Sequence, residues 1–182
     1  MLLDSDVEVL LTFAEVAAAF AGFSAVAGIF GERSKEIAQQ DAERLRAVIL
    51  NSILVLISAF SPILISRYGV EETRVWWLAS VIALPSNWLV AILLTYRGTK
   101  TNLWSADKIY KRISFTLEIP VELALILIIL GLFAVYAPAM YMTFISLVLL
   151  QSSVAFATLL HSLFAQHNDH HSPDGVSKEN KR

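Results

Sequence analysis

Acidic residues recur at a seven-residue step in the first apolar stretch of the chain. Glu8, Glu15 and Gly22 share one face of an α-helix, because seven residues make nearly two turns. A carboxylate at the depth of Glu15 costs roughly 3 kcal/mol in hydrocarbon. Rings of carboxylates around an axis select cations. We therefore interpret these three residues as candidates for an ion pathway, and a protonated Glu15 hydrogen-bonded to a neighbouring helix is the alternative.

A second face of the same helix carries small residues, which let helices approach closely where lipid supplies no hydrophobic drive. We predict a helix-packing seam there and expect it to serve self-association. Its members are Ala14, Ala17, Ala21, Ser24, Ala25 and Gly28. An acidic residue near the outer end of a first helix rich in alanine and glycine resembles calcium-release-activated channel subunits, although no other motif of that family is present.

Polar residues in later apolar stretches form a secondary set of candidates. Glu122 and His161 fall in a predicted hairpin, where an acid–imidazole pair relays protons or binds a cation, unless the two groups simply satisfy each other. Glu118 and Pro120 suit the first turn of a helix, so we interpret Glu118 as structural. Amides form interhelical hydrogen bonds worth about 0.6 kcal/mol on average. Three of them lie at intermediate depth: Asn51, Asn87 and Gln151.

Five apolar stretches are long enough to carry these residues across a bilayer, which takes ~20 residues per helix. Hydrophobic residues make up 56% of the chain and charged residues 16%, a balance that excludes an ordinary soluble domain. We predict an all-α membrane domain over residues 1–166 and a disordered polar cytoplasmic tail over 167–182. The predicted spans are about 7–30, 47–66, 75–96, 117–136 and 139–164.

The basic residues predict how these spans are oriented. If the odd-numbered connections and the tail face the cytoplasm, only Arg67 and Arg74 of the 14 basic residues lie outside. This distribution follows the positive-inside rule and predicts an N-out, C-in topology. The general style of the sequence suggests a multi-pass protein of a bacterial inner membrane.

The connection between the third and fourth spans predicts a helix lying on the inner leaflet. Apolar residues recur there at three- and four-residue steps from Thr99 to Phe115, which is typical of an interfacial amphipathic helix. An ordinary solvated connection is the alternative. The residues predicted to contact lipid headgroups are Lys108, Lys111 and Arg112.

Several kinds of chemistry are missing from the sequence. There is no cysteine, which removes disulfides and thiolate ligands, and no catalytic or phosphate-binding motif is present. We expect neither an enzyme nor a cofactor or metal site, and a net charge of −2 indicates no nucleic-acid partner. We expect a homo-oligomer, in contact with membrane lipids, that forms a cation or proton channel. The alternatives are a non-conducting scaffold or accessory subunit of a larger membrane complex and a lipid-sensing, membrane-perturbing effector.

Overall fold

The parts of the chain that the computed structural model describes are almost entirely helical and contain no strand. These parts are residues 4–30, 35–100 and 108–169, with side chains described for 4–26, 41–96 and 116–161. The helices are α1 (Asp4–Phe30), α2 (Lys35–Ser66), α3 (Glu72–Lys100), α4 (Lys108–Ile129), a short 3-10 helix (Ala134–Tyr136) and α5 (Ala137–Asp169). The predicted all-α class is therefore confirmed.

Four helices are long and apolar enough to cross a membrane, so the chain is a membrane-embedded protein. Helix α4 is not among the four, because its side chains are described only over 116–129, which is too short a segment to meet the length criterion. The four qualifying segments are Asp4–Val26, Asp41–Ser66, Glu72–Tyr96 and Ala134–His161.

The bundle is organised around α2 and α5, which pack against each other. Helix α1 lies against α2 and, less extensively, against α5, whereas α3 and α4 pack together on the other side of the same pair. The largest side chains in the shared core are Trp76, Tyr141 and Phe144. Their rings form a continuous tilted stack, with centroids 5.5 Å apart for Trp76–Tyr141 and 5.7 Å for Tyr141–Phe144.

A proline in α2 explains why Tyr141 points where it does. Pro62 has no N–H, so the carbonyl of Ser58 one turn earlier loses its helical partner. The Tyr141 hydroxyl donates to that carbonyl at 2.9 Å, and the Ser61 hydroxyl donates to it at 3.2 Å. A buried acceptor left bare would be costly in lipid, so this contact joins α2 to α5.

The hairpin between α4 and α5 turns earlier than the sequence prediction placed it. Helix α4 ends at Ile129, and Gly131 adopts a left-handed φ of 71°. Leu132 N–H bonds to Leu127 O and Gly131 N–H bonds to Ile128 O, which is the Schellman pattern of helix termination. The predicted fourth span, 117–136, therefore extends beyond the C-terminal end of α4.

The beginning of α4 also differs from the prediction. The backbone is helical without interruption from Lys108 to Ile129, so residues 108–115 begin the fourth helix instead of belonging to a separate interfacial helix. Lys108, Lys111 and Arg112 lie in the first two turns of α4, and their side chains are outside the described residues. Glu118 and Pro120 stand in the third and fourth turns, so their interpretation as first-turn residues was wrong.

Replacing Tyr141 with phenylalanine should destabilise the bundle, because the variant removes a buried hydroxyl donor from the Ser58 carbonyl. We expect a loss of about 1 kcal/mol in the free energy of unfolding, measured in mixed detergent micelles. Tyr136→Phe is the control, since Tyr136 is exposed and should change stability little. Equal effects of the two variants would contradict this role for Tyr141.

Candidate functional site

Helices α3 and α4 run antiparallel, and two contacts fix their alignment. The indole N–H of Trp77 donates to the carbonyl of Ile129 at 3.0 Å. About ten residues further along α3, Asn87 Nδ2 donates to Glu118 Oε1 at 2.7 Å. Both contacts have the same register, so α4 lies alongside α3 over roughly 15 Å at about 1.5 Å per residue.

Three helices meet at the carboxyl group of Glu118. Its Oε1 accepts from Asn87 of α3, and its Oε2 accepts from Gln151 Nε2 of α5 at 3.2 Å. Asn87 and Gln151 are buried, and Glu118 is half-buried. Each carboxylate oxygen therefore has an amide donor from a different helix. We call these three residues the Glu118 junction.

The Glu118 junction lies deep within the bundle. Glu118 precedes Ile129 by eleven residues, which is about 16 Å along an α-helix. Trp77 is level with Ile129, and tryptophan is enriched at the membrane interface. The carboxyl group therefore lies about 16 Å along α4 from the level of Trp77.

A second acidic residue occupies α4 one turn closer to its C-terminal end. Glu122 Oε1 accepts from the indole N–H of Trp88 at 2.9 Å. Glu122 is half-buried, and Trp88 is exposed at the bundle surface. Consecutive residues of α3, Asn87 and Trp88, thus supply donors to two carboxyl groups on α4.

The predicted contact between Glu122 and His161 is not formed. The Glu118–Gln151 bond sets the α4–α5 register and places His161 nearly three turns of α5 beyond Gln151, on the side away from Glu122. The two residues are about 20 Å apart along the helix axes, and His161 is exposed. Asn51 is buried on α2, and no described hydrogen bond joins it to the Glu118 junction.

The acidic face of α1 lies on the outside of the subunit. Glu8 and Glu15 are exposed, and no atom beyond its own helix lies within 4 Å of where a Cβ on Gly22 would stand. Ala18 and Ala19 beside them are exposed too. The predicted pathway candidates therefore share one uncovered face, and nothing in the described part of the subunit contacts the Glu15 carboxyl group.

The small-residue seam of α1 faces the opposite way. Ala14, Ala17 and Ser24 are buried, with Ala17 and Ser24 at 0% exposure, and Ala21 is half-buried. Ala25 is exposed, while the surroundings of Gly28 lie outside the described side chains. Its buried members pack against the subunit's own bundle, which leaves them unavailable to a second copy.

The Glu118 junction can hold one negative charge or one proton, and it has no basic partner among the described residues. Its donors are neutral amides, which stabilise a carboxylate by hydrogen bonds rather than by an opposite charge. Over the same described part of the chain, no group of three or more histidine, cysteine, aspartate or glutamate residues is placed to hold a metal ion. The chemistry available is therefore proton uptake and release, or the attraction of a single cation.

Sequence reasoning named Asn87, Gln151 and Glu122 but set aside Glu118, the residue that joins the two amides. The sequence did contain a pattern that indicates the interior position of Glu118. The three- and four-residue apolar spacing seen from Thr99 to Phe115 continues past Glu118, which is expected if a single helix starts well before it. A helix that begins at Lys108 moves Glu118 from a terminus into the membrane interior.

Comparison of the chain with protein-family models, curated proteins and solved structures finds no match. The functional argument for this protein therefore depends on its own side chains.

Removing one donor of the Glu118 junction should weaken the packing of α3 against α4. We expect Asn87→Ala to lower the free energy of unfolding by about 1.5–3 kcal/mol, the range for hydrogen bonds to charged groups, in mixed micelles. Ser86→Ala is the matched control, because the Ser86 hydroxyl donates to Ile82 O of its own helix. A stability loss no larger than that of the control would mean that the junction contributes nothing to packing.

Proposed function

We propose that this protein assembles as a homo-oligomer in a bacterial inner membrane and conducts cations or protons along a path bordered by the acidic face of α1. The observation that carries the proposal is the position of Glu15, a carboxyl group in a membrane helix on a face that its own subunit leaves uncovered. In a lone subunit that group would lie in lipid.

The cost of that exposure favours assembly. A carboxylate near the centre of a bilayer costs about 2.5–3.5 kcal/mol on insertion scales, and no lysine or arginine occurs in an apolar stretch to offset it. A second copy of the chain would remove the face from lipid. Ala18 and Gly22 are small enough for two such helices to approach closely.

The arrangement of copies around an axis would give the acidic face a function. Glu8 and Glu15 are two turns apart on one face, so each would form a ring of carboxylates in a symmetric assembly. Rings of this kind concentrate and select cations. Gly22, deeper on the same face, would leave an uncharged, narrow section below Glu15.

The proposed topology has five spans with the N-terminus outside and the C-terminus inside. The alignment of α4 with α3 over about 15 Å supports a fifth crossing, because the Trp77–Ile129 and Asn87–Glu118 contacts require α4 to run through the same layer as α3. The excess of basic residues on the odd-numbered connections and the tail supports the orientation.

A non-conducting accessory subunit is the second candidate, supported by the same uncovered face. A different protein could cover Glu15 as well as a second copy could, and the chain would then be a scaffold within a larger membrane complex. The two candidates differ in what contacts α1 and in whether ions cross the membrane.

Replacing Glu15 with glutamine should reduce cation flux into proteoliposomes, because it removes the charge that attracts the ion. Loss of about 1.4 kcal/mol of attraction corresponds to about a tenfold decrease in rate. Glu71→Gln is the control, since Glu71 is an exposed acid in the connection before α3. Flux that is unchanged in Glu15→Gln would reject the conducting pathway.

Cysteine crosslinking can identify what covers α1, because the natural chain has no cysteine. Ala18→Cys on the uncovered face should give disulfide-linked dimers in native membranes under mild oxidation. Ala17→Cys is the control, since the adjacent Ala17 is fully buried against the bundle and should not crosslink. Linkage of Ala18→Cys to a different protein, without dimers, would favour the accessory-subunit candidate.

A further inference from the structure

We propose that the Glu118 junction is a proton-binding site inside each subunit, with Glu118 as the group that takes up and releases the proton. The site is separate from the acidic face of α1, because it is enclosed by α3, α4 and α5 of a single chain. The proposal goes beyond conduction at the α1 face and does not depend on the oligomer.

The first argument is charge balance. Glu118 is held between three helices by amide donors, and an ionised group away from water needs compensation. Among the side chains that the structure describes, no ion pair includes Glu118. A proton is a cation that a carboxyl group can bind through one of its own oxygens.

The second argument comes from the groups that face Glu118. Helix α3 presents Asn87 and α5 presents Gln151, and both are neutral donors. On α4 itself, Glu122 lies one turn away and is the nearest titratable group in the sequence. Residues at i and i+4 have Cβ atoms about 5–6 Å apart, so ionisation of one carboxyl group opposes ionisation of the other.

The third argument is that both protonation states can be satisfied by the same three side chains. In the arrangement observed, each oxygen of Glu118 accepts an amide N–H. After protonation, rotation of either amide by half a turn would present its carbonyl oxygen to the new O–H donor. The proton adds to one carboxylate oxygen, no other covalent bond is made or broken, and the net charge of the site changes from minus one to zero.

A metal ion suits this site less well. Hard cations such as Ca²⁺ take six to eight oxygen ligands, whereas Glu118 already directs both oxygens at N–H donors. The amide nitrogens, rather than the amide oxygens, face the carboxyl group. The site therefore favours a proton over a metal cation.

Infrared spectroscopy of the full chain in proteoliposomes tests the proposal without requiring flux. A protonated carboxylic acid has its own carbonyl stretching band, and we expect a band of this kind from Glu118 that appears and disappears reversibly as the pH is changed. The band should disappear in Glu118→Gln and remain in Glu71→Gln. Persistence of the whole band in a folded Glu118→Gln protein, or its complete loss in Glu122→Gln, would overturn the assignment.

A second variant keeps the test decisive if Glu118→Gln fails to fold. Asn87→Ala removes the amide that donates to Glu118 Oε1, so the frequency of the carbonyl band should change with the loss of that hydrogen bond. Ser86→Ala should leave the frequency unchanged. An unchanged frequency in Asn87→Ala would refute the proposal, and so would a band that sodium, potassium or calcium ions abolish at constant pH, because it would identify a metal site.

Discussion

Acidic side chains without basic partners are the constraint on which this bundle depends. The apolar stretches contain carboxyl groups but no lysine or arginine, and among the side chains that the structure describes no ion pair includes Glu15 or Glu118. Hydrocarbon offers no hydrogen bonds in compensation. Each group must therefore find neutral donors, a proton, water or another subunit, and the fold treats the two acids differently.

Glu118 is stabilised by contacts that also hold the helices in place. Asn87 and Gln151 reach Glu118 from α3 and α5, while Tyr141 of α5 reaches the Ser58 carbonyl that Pro62 leaves unpaired in α2. Four helices are thus joined by polar contacts in a medium that supplies little other specificity, since lipid is as apolar as the core. The same contacts that fix helix rotation also build the polar environment of the carboxyl group.

The sequence was sufficient to predict the helices, because long apolar stretches in membranes have few structural alternatives. It was insufficient for the boundaries of α4, where Gly131 in a Schellman turn and the continuous helix from Lys108 moved Glu118 from an end to the interior. The sequence also did not show which face of each helix points into the bundle. Lipid-facing and buried faces are both apolar in a membrane, so the seam containing Ala17 gave no indication of whether it packs inward or outward.

The different surroundings of Glu15 and Glu118 indicate which face of α1 is available for specific contacts. The inward face of that helix consists of residues such as Leu10, Ala14 and Ala17, which leave no donor for a carboxyl group. Glu15 lies instead on the outward face, as Glu8 does two turns earlier, where a carboxyl group needs contact with something more polar than lipid. We infer that the assembly, rather than the single subunit, completes the environment of Glu15.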